Sequence, residues 1–264
     1  MAGRFPSDWL VSDWPAPAGV QAVCTTRAGG VSAAPYDSLN LGDHVGDFFA
    51  QVATNRAIFQ QAIGAQPVFL NQMHGTDVLL LNAATPHASV ADACLTDQPG
   101  VACTIMVADC LPVLFTTLDG RCVAAAHAGW RGLAGQDGVG VLEQTCQHFS
   151  ALARINKAYV ATEIIAWLGP CIGPQAFEVG DEVRAAFLVH DAQAAQMFQP
   201  RPGGKWLANL AGLARQRLAA LGITRIFGND GSDPWCTVTQ PSRFFSHRRD
   251  RVSGRFAVSI WRKV

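Results

Sequence analysis

The sequence predicts a mixed α/β fold: layered mixed β-sheets flanked by helices. Three observations carry this reading. Between residues 100 and 129, the apolar runs GVACTIMVAD, LPVLFTTL and RCVAAAHAG follow one another at turn-length intervals. Their apolar character is nearly continuous, as expected of strands covered on both faces. Helical patterns lie before and after them, yet strands and helices do not alternate regularly, which argues against a simple doubly wound sheet.

The elements follow in order. VQAVCTTR (20–27) reads as a strand closed by the turn AGGVS. Residues 47–64 read as a helix, with Asp47 as its cap, Phe48, Val52, Phe59 and Ile63 near helical spacing, and Gly64 as its stop. PVFLNQ and DVLLLN are strands on either side of the turn MHGT. After the three central strands, residues 135–149 read as a helix with Leu142, Cys146 and Phe149 on one side. EIIAWLGP is a strand, and VGDEVRAAFLVH is a short helix with Asp181 near its start. WLANLAGLARQRLAALG (206–222) reads as an amphipathic helix ending at Gly222, and TRIFG and RFAVSIW are the last strands. No repeat, low-complexity tract or linker divides the chain, so residues 1–264 are expected to form one domain.

Hydrophobic residues make up 49% of the 264 and charged residues 15%, which favours a compact core over disorder. Lys plus Arg equals Asp plus Glu at 20 each, so bulk charge gives no reason to expect nucleic acid or membrane surfaces as partners. The opening MAGRFPSDWLVSDWP lacks the apolar run of a signal peptide, and no stretch approaches the roughly 18–20 apolar residues of a membrane span. A soluble, cytoplasmic protein is the expectation. Its eight cysteines include no CxxC pair and are expected to be free thiols. Phosphate-binding glycine loops and the serine-hydrolase elbow have no sequence support.

Three segments share one design. NQMHGTDV, VADCLPVLF and AAHAGWRG each place one reactive side chain at a strand end beside turn residues: His74, Cys110 and His127. Strand ends facing a common edge are where α/β proteins build sites. A thiolate with two imidazoles suits Zn²⁺ and leaves a fourth position open, and the set is soft enough for copper. The alternative is a core thiol with two satisfied histidines. His44, in LNLGDH, and His247, in FFSHRRD, stand among polar turn residues and can line a pocket or lie on the surface. His87 and His148 read as surface residues, and His190 ends a helix. Cys236 reads as a core thiol.

TTRAGGVS, SLNLGDHVGD, NQMHG, ADCLPVLF, HAGWRGL, LGPCIGPQAFEVGDEV and FFSHRRD, in this order, resemble the laccase-domain family, once named multicopper polyphenol oxidase and now regarded as purine nucleoside phosphorylase. The match runs from about Cys24 to near the C-terminus. The resemblance implies that His74, Cys110 and His127 are metal ligands and that the fold is distantly similar to cysteine hydrolases. It implies phosphorolysis of adenosine, inosine, guanosine and S-methyl-5′-thioadenosine, and deamination of adenosine at the same site.

Phosphorolysis needs an anion pocket, and the planar fork of arginine suits phosphate. Arg27, Arg56, Arg248 and Arg249 are the candidates, with Asn40 and His44 as further pocket residues. The N–H groups of Ala28, Gly29 and Gly30 can form an anion nest beside Arg27. Surface salt bridges are the alternative for each arginine. Asp109 is expected to orient His127 or to pair with Arg131. Two other enzyme classes use the same atoms: a Cys110–His127 hydrolase or amidase, for which the resemblance implies peptidoglycan precursors as substrates, and the copper-dependent polyphenol oxidase that the family's older name implies.

Overall fold

The computed structural model describes residues 5–156 and 163–264. Its strands are β1 (Leu10–Val11), β2 (Val20–Cys24), β3 (Gln66–Phe69), β4 (Val78–Leu80), β5 (Ala93–Thr96), β6 (Val101–Val107), β7 (Leu111–Thr117), β8 (Val123–Ala128), β9 (Ile164–Leu168), β10 (Glu178–Gly180), β11 (Phe198–Arg201), β12 (Lys205–Ala208), β13 (Arg225–Gly228) and β14 (Phe256–Arg262). Its α-helices are α1 (Phe49–Ile63), α2 (Trp130–Ala134), α3 (Val141–Asn156), α4 (Asp181–Leu188), α5 (Leu210–Ala220) and α6 (His247–Asp250).

Two large mixed sheets lie face to face. One has the order β1-β2-β14-β6-β3, and the other β13-β9-β7-β8-β5-β4. The second is antiparallel at its centre and parallel at both edges. A small antiparallel sheet, β10-β12-β11, stands apart.

The period-two alternation of each strand sorts its side chains between layers. Val101, Cys103, Ile105 and Val107 of β6 pack with Leu114, Val123, Ala125 and Trp167 of the six-stranded sheet. Ala102 and Met106 face the other way, in one cluster with Phe59 and Ile63 of α1. Val113, Phe115, Ala124 and Ala126 pack beneath Leu142 and Phe149 of α3 and Leu213 and Leu218 of α5. Both faces of each central strand are thus apolar because both are covered, and the expected layered α/β architecture is present.

Several local expectations shift. Asp47 does not cap α1: it accepts from Ser32 Oγ at 2.6 Å and Asn40 Nδ2 at 2.9 Å, and Phe48 occupies the cap position without a side-chain bond. The helix expected over 135–149 begins at Val141, because Gly135 and Gly138 hold positive φ and Gln136 bridges Val139 in a turn. Lys205–Ala208 pair as β12 in the small sheet, so α5 starts later, capped by Asn209 Oδ1 accepting from Gly212 N at 2.8 Å. β5 has no counterpart in the sequence reading, being four residues set between a loop and a turn. All eight cysteines are free, and no helix among the described residues is long and apolar enough to cross a membrane.

Candidate metal centre

Strand register builds the centre. Pro112 of β7 lies opposite His127 of β8, so Cys110, just before β7, sits beside the end of β8. β3 runs parallel to β6, so the loop after β3 and the turn after β6 leave the sheet at one edge. His74 is in that loop and Cys110 in that turn. Gln72 joins the two segments, donating to Met106 O at 2.8 Å and accepting from Met106 N at 2.9 Å.

The three expected ligands therefore meet. One donor atom from each of His74, Cys110 and His127 lies within 4.8 Å of the others. Cys110 Sγ is 3.6 Å from His74 Nε2, and the two imidazoles stack edge to face at 4.7 Å between centroids. His127 is buried, whereas His74 and Cys110 reach the surface of a pocket of about 430 Å³. Two glycines permit this crowding. A Cβ at Gly129 would stand 2.7 Å from His74 Cδ2 and 3.1 Å from Cys110 Sγ, and one at Gly132 would stand 2.6 Å from Gly75 O.

The residue that orders the centre is Asp92, which the sequence reading missed. It sits just before β5, whose Ala93 pairs with Ala126 of β8, and that register sets it against His127. Its Oδ1 accepts from His127 Nδ1 at 2.8 Å and from His74 N at 2.9 Å. Its Oδ2 accepts from Met73 N at 3.1 Å and Gly75 N at 2.6 Å. One buried carboxylate thus holds the His74 loop, whose His74 has a left-handed backbone (φ 61°), and fixes the Nδ1–H form of His127. The available signal was an acid alone among apolar residues in SVADACLT.

The electrostatics follow. Burial pushes the Asp92 carboxyl up, but His127 and the backbone N–H groups outweigh it and hold it below the usual range. Burial pushes His127 down, but Cys110 and Asp92 raise it to about 9. Burial pushes the Cys110 thiol up, but His127 and His74 lower it to about 6. Near neutral pH the metal-free pair is therefore thiolate and imidazolium, and loading a metal must expel the His127 proton. Affinity should rise about tenfold per pH unit between about 6 and about 9. Calorimetric titration with zinc in two buffers of different ionisation enthalpy should find about one proton released. A count near zero would show that the metal-free pair already stands as thiolate and neutral imidazole.

The other expected residues part ways. Asp109 neither orients His127 nor pairs with Arg131: its carboxylate accepts from Thr237 Oγ1 and Arg248 N, both at 2.6 Å, and Arg131 lies over the Trp130 ring. Arg27 does not line the pocket, since its guanidinium bonds Asp37 O, Pro241 O and the Asp37 carboxylate. Two of the N–H groups beside it are already taken: Thr26 Oγ1 accepts from Ala28 N and Ser38 Oγ from Gly30 N. Arg56 is tied to Leu41 O and Asp43, and Arg249 to Asp250 and the carbonyls of Thr237, Val238 and Phe244; neither lines the pocket. Asn40 is buried in backbone contacts, accepting from Gly42 N and Arg255 N. Cys236 is a core thiol that accepts from Gly173 N. His44, His247 and Arg248 do line the pocket, joined by Arg251 and Arg255, which the sequence reading passed over.

The model of the multi-copper polyphenol oxidoreductase laccase family matches residues 21–263. The chain belongs to this family. Among similar members, the purine nucleoside phosphorylase YfiH of Escherichia coli is 49% identical over 257 residues, covering 97% of this chain and 99% of its own. A Pseudomonas aeruginosa purine nucleoside phosphorylase is 47% identical over 254 residues, covering 96% and 98%. A crystal structure of a Neisseria meningitidis protein superposes with a TM-score of 0.89 at 45% identity, covering 98% of this chain and all of that one. YlmD from Geobacillus stearothermophilus gives 0.82 at 29% identity, covering 97% and 96%. The family resemblance read from the seven motifs therefore holds along the chain.

Proposed function

We propose that this protein is a zinc-dependent purine nucleoside phosphorylase, cytoplasmic and with residues 1–264 as one catalytic domain, that also deaminates adenosine at the same centre. The observation that carries this is the meeting of His74, Cys110 and His127 in one pocket that also holds three arginines, in a chain related end to end to proteins of that name. The pocket volume of about 430 Å³ suits a nucleoside-sized ligand.

The donor set fits a metal. His74 Nε2, Cys110 Sγ and Nε2 of His127, the ring nitrogen that Asp92 does not hold, offer one soft anion and two nitrogens, and three protein ligands leave a position open. When bound, zinc supplies a Lewis acid and acidifies water towards neutral pH; copper is the second candidate. The remaining tasks fall to the chain. Trp130, Phe177 and Ile172 give the pocket apolar surface for a flat base. Asp92 keeps the His127 ring fixed. The pocket cations attract phosphate. In phosphorolysis a phosphate oxygen bonds C1′ of the ribose, the C1′–N9 bond breaks, and the base leaves with the electron pair and takes up a proton. Deamination adds water at C6 of adenosine and releases ammonia, with no need of phosphate. Adenosine, inosine, guanosine and S-methyl-5′-thioadenosine are the proposed substrates.

One observation favours a second reading. Cys110, His127 and Asp92 also form a nucleophile, base and orienting acid in series, the arrangement of a cysteine hydrolase or amidase. A zinc-ligated thiolate is a poor free nucleophile, so metal content separates the two. The test of the main reading is incubation of the purified protein with adenosine, with and without phosphate, and chromatography of the products. Adenine and ribose 1-phosphate should form only with phosphate, and inosine in both. No base release with phosphate present would overturn it.

A further inference from the structure

The pocket holds more positive charge than its neighbours balance. Three arginines line it, Arg248, Arg251 and Arg255, and among the described residues none of them forms an ion pair with a carboxylate. Among the described residues the one carboxylate in the lining is Asp109, whose oxygens are engaged by Thr237 and the backbone of Arg248. Arg248 is itself tethered through Nη1 to the carbonyl of Glu178 at 3.0 Å, over the Phe177 ring. Arg251 is exposed. Arg255 differs from both.

Arg255 immediately precedes β14, and Phe256 pairs with Val107 of β6. That register sets Arg255 against the segment Ala108–Cys110, at the edge where the metal donors collect. Its backbone is pinned on both sides: its N–H donates to Asn40 Oδ1 at 2.8 Å, and its carbonyl accepts from Leu41 N at 3.0 Å. Its stem crosses Gly42, where a Cβ would stand 2.8 Å from Arg255 Cγ. Nη1 bonds the carbonyls of Ser253 and Gly254, at 3.0 and 3.1 Å, which fixes the plane of the guanidinium. Nε and Nη2 carry no bond among the described residues. They make up one edge of the fork, the edge that matches two oxygens of a tetrahedral oxyanion. His44, Asp109 and Cys110 line the same pocket.

We propose that Arg255 is the oxyanion anchor of this pocket and receives inorganic phosphate next to the metal centre. The proposal rests on the phosphorolytic reading for its substrate, but its binding claim can be tested alone. It assigns Asn40 and Gly42 a positioning task, since they hold the Arg255 backbone and let its stem pass.

The test measures binding of inorganic phosphate to the zinc-loaded protein by ³¹P NMR, and separately the KM for phosphate in phosphorolysis of inosine. Variants are Arg255→Gln, Arg255→Lys and Arg27→Gln, each checked for fold by circular dichroism and for zinc by elemental analysis. Arg255→Gln should weaken phosphate binding and raise its KM by about 10- to 100-fold, the size expected for losing charge-assisted hydrogen bonds. Arg255→Lys, which keeps the charge and a covering stem, should fall in between and stands in if the glutamine variant does not fold. Arg27→Gln should leave both values as in wild type. Inosine 5′-monophosphate, titrated alone, separates a nucleotide phosphate from the free ion. Wild-type affinity in folded Arg255 variants, no phosphate binding by the wild type, or loss confined to the nucleotide would each overturn the proposal. Phosphate binding through Arg255 without cleavage of inosine would instead overturn the phosphorylase reading and leave the anchor standing.

Discussion

Cys110→Ala should empty the metal centre and abolish catalysis. Cys110 supplies the anionic donor of the set, and the two imidazoles that remain are neutral ligands. Zinc per chain in the purified variant should fall from near one to a small fraction. Activity should fall by more than about 100-fold, since even the loss of a metal's outer partner costs about 10–100-fold. The fold should survive: Cys110 lies in a turn and is partly exposed, so no core cavity opens. Cys110→Ser keeps the size and a weaker oxygen donor, and should retain more metal than the alanine variant. Elemental analysis alongside circular dichroism decides the matter. A folded Cys110→Ala protein with its metal unchanged would remove Cys110 from the centre. A metal-free wild type that Cys110→Ala inactivates would favour the cysteine hydrolase.

The second large effect is expected at Asp92, which is buried behind the pocket lining. Its four hydrogen bonds join His127 to the backbone of Met73, His74 and Gly75. Removing one member of a buried charged pair leaves the other uncompensated, at a cost of about 3–5 kcal/mol. Asp92→Ala should therefore lower the melting temperature by on the order of 10 °C. Asp92→Asn is nearly isosteric, but its amide presents an N–H₂ to a site built of N–H donors, so it too should weaken zinc binding by about 10–100-fold. The pH dependence gives an independent check. The folded-state carboxyl is held below its usual range, so its contribution is present at neutral pH and is lost as pH falls through the acid range. The gap in melting temperature between wild type and Asp92→Asn should accordingly narrow in acid. A constant gap would mean that the substitution acts through packing and not through the ionised carboxylate.

Much of this was legible in the chain. Continuous apolar character in GVACTIMVAD, LPVLFTTL and RCVAAAHAG follows from burial on both faces, a property each strand carries within itself. His74, Cys110 and His127 stood out because a reactive side chain beside turn residues at a strand end is unusual locally. The glycines of HAGWRG were visible too, although their purpose, room for the His74 loop, was not. The arginines misled. Arg27 beside Ala28–Gly30 has the local pattern of an anion site, but Ser38, Asp37 and Pro241, distant in sequence, fill it.

The sequence by itself determined the layered α/β class and the family, and it singled out His74, Cys110 and His127. The class rests on strand-length apolar runs, the family on seven ordered motifs spread along the chain, and the three side chains on reactive groups beside turn residues at strand ends. Tertiary structure alone decided that Asp92, and not Asp109, orders the histidines, and that Arg255, not Arg27, faces the pocket. The reason is strand register. Asp92 matters because Ala93 pairs with Ala126, and Arg255 because Phe256 pairs with Val107. Those pairings set residues from distant parts of the chain side by side, and no stretch of sequence contains them.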